Sequence, residues 1–312
     1  MINIYKSVDD NLFTLKEIED GAWISLVDPT PEELEFVEDE LDVDIDFLRA
    51  ALDEEEYSRI EIEGDQKLIL VDIPYLDDED EEHPFYSTLP FGIILAGKNI
   101  ITVCLKNTIV IDQFEKNSVR SFYTFMRYRF VLQLLFKISK RYLLYLKQID
   151  RMSTNIERQL HKSMKNRELI QLLDLEKSLV YFNTSLKGNE VVLNKMLKID
   201  AIKLYPDDED LLEDVIIENK QAIEMATIYS GILSGMMDAF ASVISNNLNI
   251  VMKMLTSITI VMAIPTMIAS FYGMNVRWLP MANNPNAFWI IMVIAGALSL
   301  VAGVILTKKK MF

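Results

Sequence analysis

The sequence predicts an α+β cytoplasmic domain, a long helical stalk and two C-terminal transmembrane helices. Three features of the 312 residues carry that reading. The first is where charge stops. All 47 Asp and Glu residues lie at or before Asp238, and beyond it the charged residues are Lys253, Arg277, Lys308, Lys309 and Lys310. The second is a pair of uncharged runs, Leu255 to Tyr272 and Ala287 to Thr307, each close to the ~20 residues with which an α-helix crosses a bilayer. The third is a change of periodicity, from strand and turn signals over 22–110 to helical signals after Phe114.

Trp23 to Val27 reads as a strand. Thr30-Pro31-Glu32-Glu33 then opens a helix, with a capping hydroxyl, proline at the first helical position and acids in the first turn. A second helix is expected near Asp46 to Glu56. Glu61–Glu63 and Lys67–Ile73 form a hairpin through Gly64-Asp65, and Phe91–Ala96 and Ile100–Cys104 form another through Gly97-Lys98-Asn99. Helical stretches follow at Phe130–Tyr145, Ile149–His161 and Arg167–Lys198. A break at Tyr205-Pro206 precedes Asp207-Asp208-Glu209-Asp210, four acids that the positive end of a helix dipole favours.

From there to Tyr272 only Gly231, Gly235 and Pro265 interrupt a helical pattern. At 1.5 Å per residue such a helix is roughly 100 Å long, too long for a small domain to bury, so it is expected to be a stalk continuing into the membrane. The expected organisation is therefore a mixed α/β domain (1–115), a helical region (116–205), the stalk with the first span (206–272), an extracellular loop (273–286), the second span (287–307) and a basic tail (308–312).

Lys308-Lys309-Lys310 against a link carrying only Arg277 places the C-terminus in the cytoplasm by the positive-inside rule, and two crossings return the N-terminal part there. Trp278, Phe288 and Trp289 fall where an outer aromatic belt is expected. Gly296, Ala297 and Gly303 offer small surfaces for helix packing. Residues 1–12 carry no cleavable signal pattern.

The first 238 residues hold 26 basic against 47 acidic side chains, a net of −21. That balance argues against nucleic acid, which needs clustered Lys and Arg; it suits cations, and it equally suits solubility. Cys104 is the single cysteine, and His83 and His161 are the two histidines, so a nitrogen/sulfur cage for a transition metal is not expected. The run Asp77 to Glu82 beside His83 reads either as a solvated loop or as a cation collector. The sequence offers no Walker A loop, nucleophile elbow or zincin helix, so no catalytic residue is expected.

In the first span Asn249, Met252, Thr256, Thr259, Ala263, Thr266, Ser270 and Gly273 recur at spacings of three and four and line one helix face leading to Asn275. Two spans cannot enclose a polar path through lipid, so conduction requires a homo-oligomer. Facing inward, such a stripe stacks uncharged amides, hydroxyls, methionines and small residues, which suits Mg²⁺ that keeps its water. Facing a neighbour, it merely packs helices.

Tyr272-Gly273-Met274-Asn275 ends the first of the two C-terminal spans, with Pro265-Thr266 upstream and Lys308 to Lys310 at the far end. In this setting the chain resembles the CorA family of divalent-cation transporters, GMN-motif type. Trp23 to Thr30 and Asp53 to Arg59 support the resemblance, which is strongest from Leu211 to Asn275. It implies a funnel-shaped homopentamer whose long helix lines the pore. Pore-facing positions then fall on Thr266, Leu255, Met252 and Asn249; Gly273, Met274 and Asn275 form the extracellular selectivity filter, and Met252 with Leu255 a hydrophobic gate. Asp214 falls on an aspartate that binds regulatory Mg²⁺ between neighbouring cytoplasmic domains.

Two positions depart from the family. Ala263 stands where a methionine is usual, implying a wider constriction, and Val276 to Asn286 carries no acid. The resemblance implies influx of hydrated Mg²⁺, with Co²⁺ and Ni²⁺ as surrogates, gated by intracellular Mg²⁺. The alternatives are a Zn²⁺ or other divalent-cation transporter of the same architecture, and a membrane-anchored Mg²⁺ sensor that conducts nothing.

Overall fold

The computed structural model describes residues 1–9, 11–77, 85–163, 166–198, 206–276, 279–281 and 284–309. The acidic positions 78–82 with His83, and Tyr205, Arg277, Trp278 and Lys310, lie outside the described residues. The chain divides into two compact units, Met1–Gly235 and Met236–Phe312.

In the first unit β1 (Ile2–Val8), β2 (Asn11–Leu15), β3 (Trp23–Val27), β4 (Arg59–Glu63), β5 (Gln66–Asp77), β6 (Phe85–Ala96) and β7 (Asn99–Cys104) form one sheet, in the order β2-β1-β3-β7-β6-β5-β4. Every pairing is antiparallel except β3 with β7. The parallel pair is separated in sequence by α1 (Pro31–Leu41), α2 (Ile45–Ala50) and the β4–β6 meander.

The period-two geometry of strands sorts the central side chains to two covered faces. Ile24 and Leu26 of β3 join Ile101 and Val103 of β7 in a core with Leu34, Val37, Phe47 and Leu48 of α1 and α2. Trp23, one residue out of phase, turns the other way. Its ring lies 5.2 Å from Phe130, 6.0 Å from Phe122 and 6.5 Å from Phe114, and its indole N–H donates to Thr102 at 2.9 Å. Burial on both faces explains why β7 is buried at every residue. Gly92 is needed on β6 because an added Cβ would meet the Ala51 Cβ at 2.9 Å.

Local chemistry sets the boundaries. Thr30 and Glu33 form the expected reciprocal capping box at α1. Gly64 and Gly97 take positive φ (56° and 52°) in two-residue hairpin loops between the paired residues Glu63 and Gln66, and Ala96 and Asn99, so Asn99 belongs to a strand rather than to the turn. α2 is shorter than the expected Asp46–Glu56. Its continuation is preempted by Asp53, whose carboxylate accepts from the Glu55 N–H at 3.0 Å, a local bond that competes with helix. The β1–β2 hairpin and α3 (Ile109–Glu115) carry no sequence expectation.

α4 (Arg127–Ser163) runs without a break where two helices were expected, because Leu146 and Ile149 are both buried. α5 (Asn166–Met196) docks on the sheet through Asn189. Asp72 of β5 lies beyond the last β4 partner, Leu70, so its backbone N–H and carbonyl on that side have no strand to pair with. The Asn189 amide supplies both missing partners, accepting from the Asp72 N–H at 2.8 Å and donating to its carbonyl at 2.8 Å.

α6 (Pro206–Tyr272) begins in the first unit and spans 67 residues. Leu212, Val215, Asn219, Ala222 and Ala226 form its buried face there. Arg129 of α4 reaches the buried Asp208 carboxylate at 2.6 Å, Lys140 pairs with Glu218, and Asn219 donates to the Leu186 carbonyl of α5 at 3.0 Å.

Two expectations follow. Arg129→Met removes the partner of a carboxylate that is 6% exposed and is expected to cost about 2 kcal/mol, after discounting for the half-wet rim of the pair; thermal unfolding of the solubilised protein measures this as a lower Tm. The Asp72 carboxyl is held above the usual carboxylate range by burial, against an opposing hydrogen bond from Ser185. Its folded form binds protons more tightly than the unfolded chain, so its contribution to stability is present at low pH and is lost as pH rises through the folded-state titration. Asp72→Asn should therefore raise Tm at pH 7, and the gain should vanish as pH falls below the ordinary carboxylate range.

Candidate functional site

In the second unit α6 continues to Tyr272 and α7 spans Ala287–Lys308. Both are long and apolar enough to cross a membrane, and very little of either apolar stretch is covered by protein. A soluble core helix hides such side chains; these stand open, as lipid or further protein requires. On α7 nothing lies within 4 Å of a Cβ added at Gly296 or Gly303, so the single chain makes no close helix approach at either glycine.

The predicted face is present as one stripe. At 100° per residue Asn249, Met252, Leu255, Thr256, Thr259, Ala263 and Thr266 fall within an arc of about 120°, and all are exposed. Thr259, Ala263, Thr266 and Ser270 line a shallow open groove along the helix. Ser257, fully buried, lies on the opposite side, so the stripe is not the face through which α6 meets the rest of the chain.

Hydrogen bonding fixes what the stripe presents. Thr256 donates to the Met252 carbonyl at 2.8 Å, Thr259 to the Leu255 carbonyl at 2.8 Å and Thr266 to the Met262 carbonyl at 3.0 Å. Each hydroxyl spends its only hydrogen inside the helix and turns oxygen lone pairs outward. The stripe is thus a column of acceptors without charge. Pro265 removes one backbone donor, yet α6 continues past it.

α6 ends where the Gly273 N–H closes back on the Ala269 carbonyl at 3.0 Å and the Met274 N–H on that of Phe271 at 3.3 Å. Asn275 follows, exposed, and among the described residues no hydrogen bond engages its amide. Gly273 does not adopt positive φ. The structure therefore brings Asn249 to Thr266 together on one face and sets Asn275 just past the helix end. Asp214 stands apart in the first unit, exposed on the side of α6 opposite Leu212, Val215 and Asn219. Among the described residues no group of three or more His, Cys, Asp or Glu side chains is arranged to hold a metal. Nothing in the residue pattern marks the Arg129–Asp208 and Lys140–Glu218 anchors of α6, because their partners lie 79 and 78 residues apart.

An α+β domain, one very long helix and two C-terminal apolar helices ending in this acceptor stripe define a membrane protein of the CorA architecture. The chain belongs to the family described as CorA-like Mg2+ transporter protein, whose model matches residues 19–309. It is 29% identical over 276 residues to the cobalt/magnesium transport protein CorA of Methanocaldococcus jannaschii, covering 87% of this chain and 85% of that protein. The complete structure of the CorA magnesium transporter from the same organism matches with a TM-score of 0.82 at 27% identity, covering 99% of this chain and 96% of that one. The full-length CmaX protein shares the fold, with a TM-score of 0.72 at 14% identity over 98% of this chain and 96% of that one.

Proposed function

We propose that this chain is one subunit of a homopentameric channel in the cell membrane that admits hydrated Mg²⁺, with Co²⁺ and Ni²⁺ as surrogates, to the cytoplasm. The observation that carries the reading is the uncharged acceptor stripe on α6 leading to the open Asn275 amide. A hydrated divalent cation presents water hydrogens outward, and it gives up those waters reluctantly. Hydroxyls already donating to Met252, Leu255 and Met262 carbonyls accept such hydrogens without stripping the ion. A ring of Asn275 carbonyl oxygens at the outer mouth, shaped by Gly273 and Met274, reads the same shell, and Asn249 repeats the contact deeper in the path.

Met252 and Leu255, half exposed and apolar, form the gate: with their side chains turned inward, five copies exclude water, and an ion that keeps its shell cannot pass. Ala263 leaves the middle of the path wide. The inside-negative potential supplies about 4.6 kcal/mol per divalent ion at 100 mV, so no nucleotide need be spent. Closure follows when cytosolic Mg²⁺ binds at Asp214 between neighbouring domains and ties them together; its loss frees the domains and the gate widens. CorA relatives named as cobalt/magnesium and magnesium transport proteins support the choice of ion.

Proteoliposomes loaded with a Mg²⁺ indicator test the reading. Under an inside-negative potential the native protein should admit Mg²⁺, and Asn275→Ala should lose most of that flux while remaining pentameric; no native flux with Mg²⁺, Co²⁺, Ni²⁺ or Zn²⁺ would leave the protein a membrane-anchored sensor. A separate measurement addresses regulation. Mg²⁺ should slow proteolysis of the native cytoplasmic domain, and Asp214→Asn should shift that protection to higher Mg²⁺; an unchanged midpoint removes Asp214 from the regulatory site.

A further inference from the structure

Well away from the stripe, the first unit contains a cleft of about 260 Å³ between the end of β5, the segment leading into α3, and α4. Its walls include Ile73, Val110 and Ile109, and its polar groups come from Tyr75, Asn107, Thr108 and Arg141. Most of these are already engaged. The Asn107 amide donates to Asp112 at 2.9 Å while its oxygen accepts the Thr108 N–H at 2.8 Å, and the Thr108 hydroxyl accepts the Ile111 N–H at 3.4 Å.

Two groups remain. The Arg141 guanidinium lies 5.5 Å from the Tyr145 ring centroid, and no carboxylate among the described residues forms an ion pair with it. The Tyr75 hydroxyl has no hydrogen-bond partner among the described residues. The Lys106 ammonium lies 4.7 Å from the centroid of the Tyr75 ring. Among the described residues no carboxylate lines the cleft.

A partly buried guanidinium without a counter-charge is costly, and the lack of an ion pair to Arg141 among the described residues leaves room for a negative group from outside. A metal ion finds no ligand there. An oxyanion finds planar paired donors from Arg141 and a hydroxyl donor from Tyr75. The apolar walls accept a small carbon body, and the volume sits at the low end of ligand pockets. We infer that this cleft binds a small organic anion through a phosphate or carboxylate group held by Arg141 and Tyr75, a ligand site separate from the path for cations.

Isothermal titration of the full-length protein in detergent tests this, without divalent ions and at constant ionic strength. The probes are inorganic phosphate, AMP and malate; their order of affinity tells a phosphate site from a carboxylate site. At least one should bind saturably. Arg141→Met keeps the apolar stem and should weaken that binding about tenfold or more; Tyr75→Phe should weaken it less, and Lys116→Gln, which is paired with Asp112, should leave it unchanged. Absence of saturable binding for all three probes overturns the site, as does equal affinity in Arg141→Met. Should that variant not fold, unchanged affinity in both Arg141→Lys and Tyr75→Phe overturns it instead.

Discussion

Inside hydrocarbon a polypeptide must satisfy every backbone donor and acceptor from within itself, and an unbroken helix is the simplest way to do so. That constraint governs the second unit. It explains why α6 continues through Pro265, and why the span's threonines turn their hydrogens back to backbone carbonyls. The same economy creates the surface on which function rests: once each hydroxyl has donated inward, only its lone pairs face out. A stripe selected for helix integrity in lipid is thereby also a stripe of acceptors, suited to an ion that travels inside its water.

The first unit answers to water instead, and it answers with layers. A mostly antiparallel sheet buried on both faces needs apolar side chains at consecutive positions, and β3 meets this by sending Ile24 and Leu26 to one helical layer and Trp23 to the other. Polar groups appear where the backbone requires them. Asn189 stands in for β4 where that strand has ended, and the Thr102 hydroxyl receives the indole hydrogen that burial of Trp23 would otherwise strand. On α6 the Arg129–Asp208 pair and the Asn219–Leu186 bond fix one face against α4 and α5, which leaves Asp214 on the open side.

Charge is divided between the units in the same sense. All the carboxylates lie at or before Asp238, whereas the two apolar spans carry none. In the proposed channel, a path built from neutral acceptors would hold an ion weakly at each step, which favours passage over storage. The cleft around Arg141 holds a cation without an ion pair among the described residues, and this is why an anion is the proposed occupant there.

Much of this was legible in the chain itself. Hydropathy gave both spans, since about twenty uncharged residues have few other uses, and the capping box at Thr30 and the glycines at 64 and 97 gave their turns because the bonds they make are local. The stripe from Asn249 to Thr266 could be read because helical period is fixed at 3.6 residues. What the sequence could not give was anything settled by distant partners. The β1–β2 hairpin pairs at a polar edge, and the gap in apolar pattern within α4 closes because Leu146 and Ile149 on either side of it are buried in the fold. α2 stops early because the Asp53 side chain competes for its backbone. Arg141 looks like any surface cation in the sequence; only the fold shows that no carboxylate among the described residues pairs with it, because side chains far apart in the chain become neighbours only when the layers close.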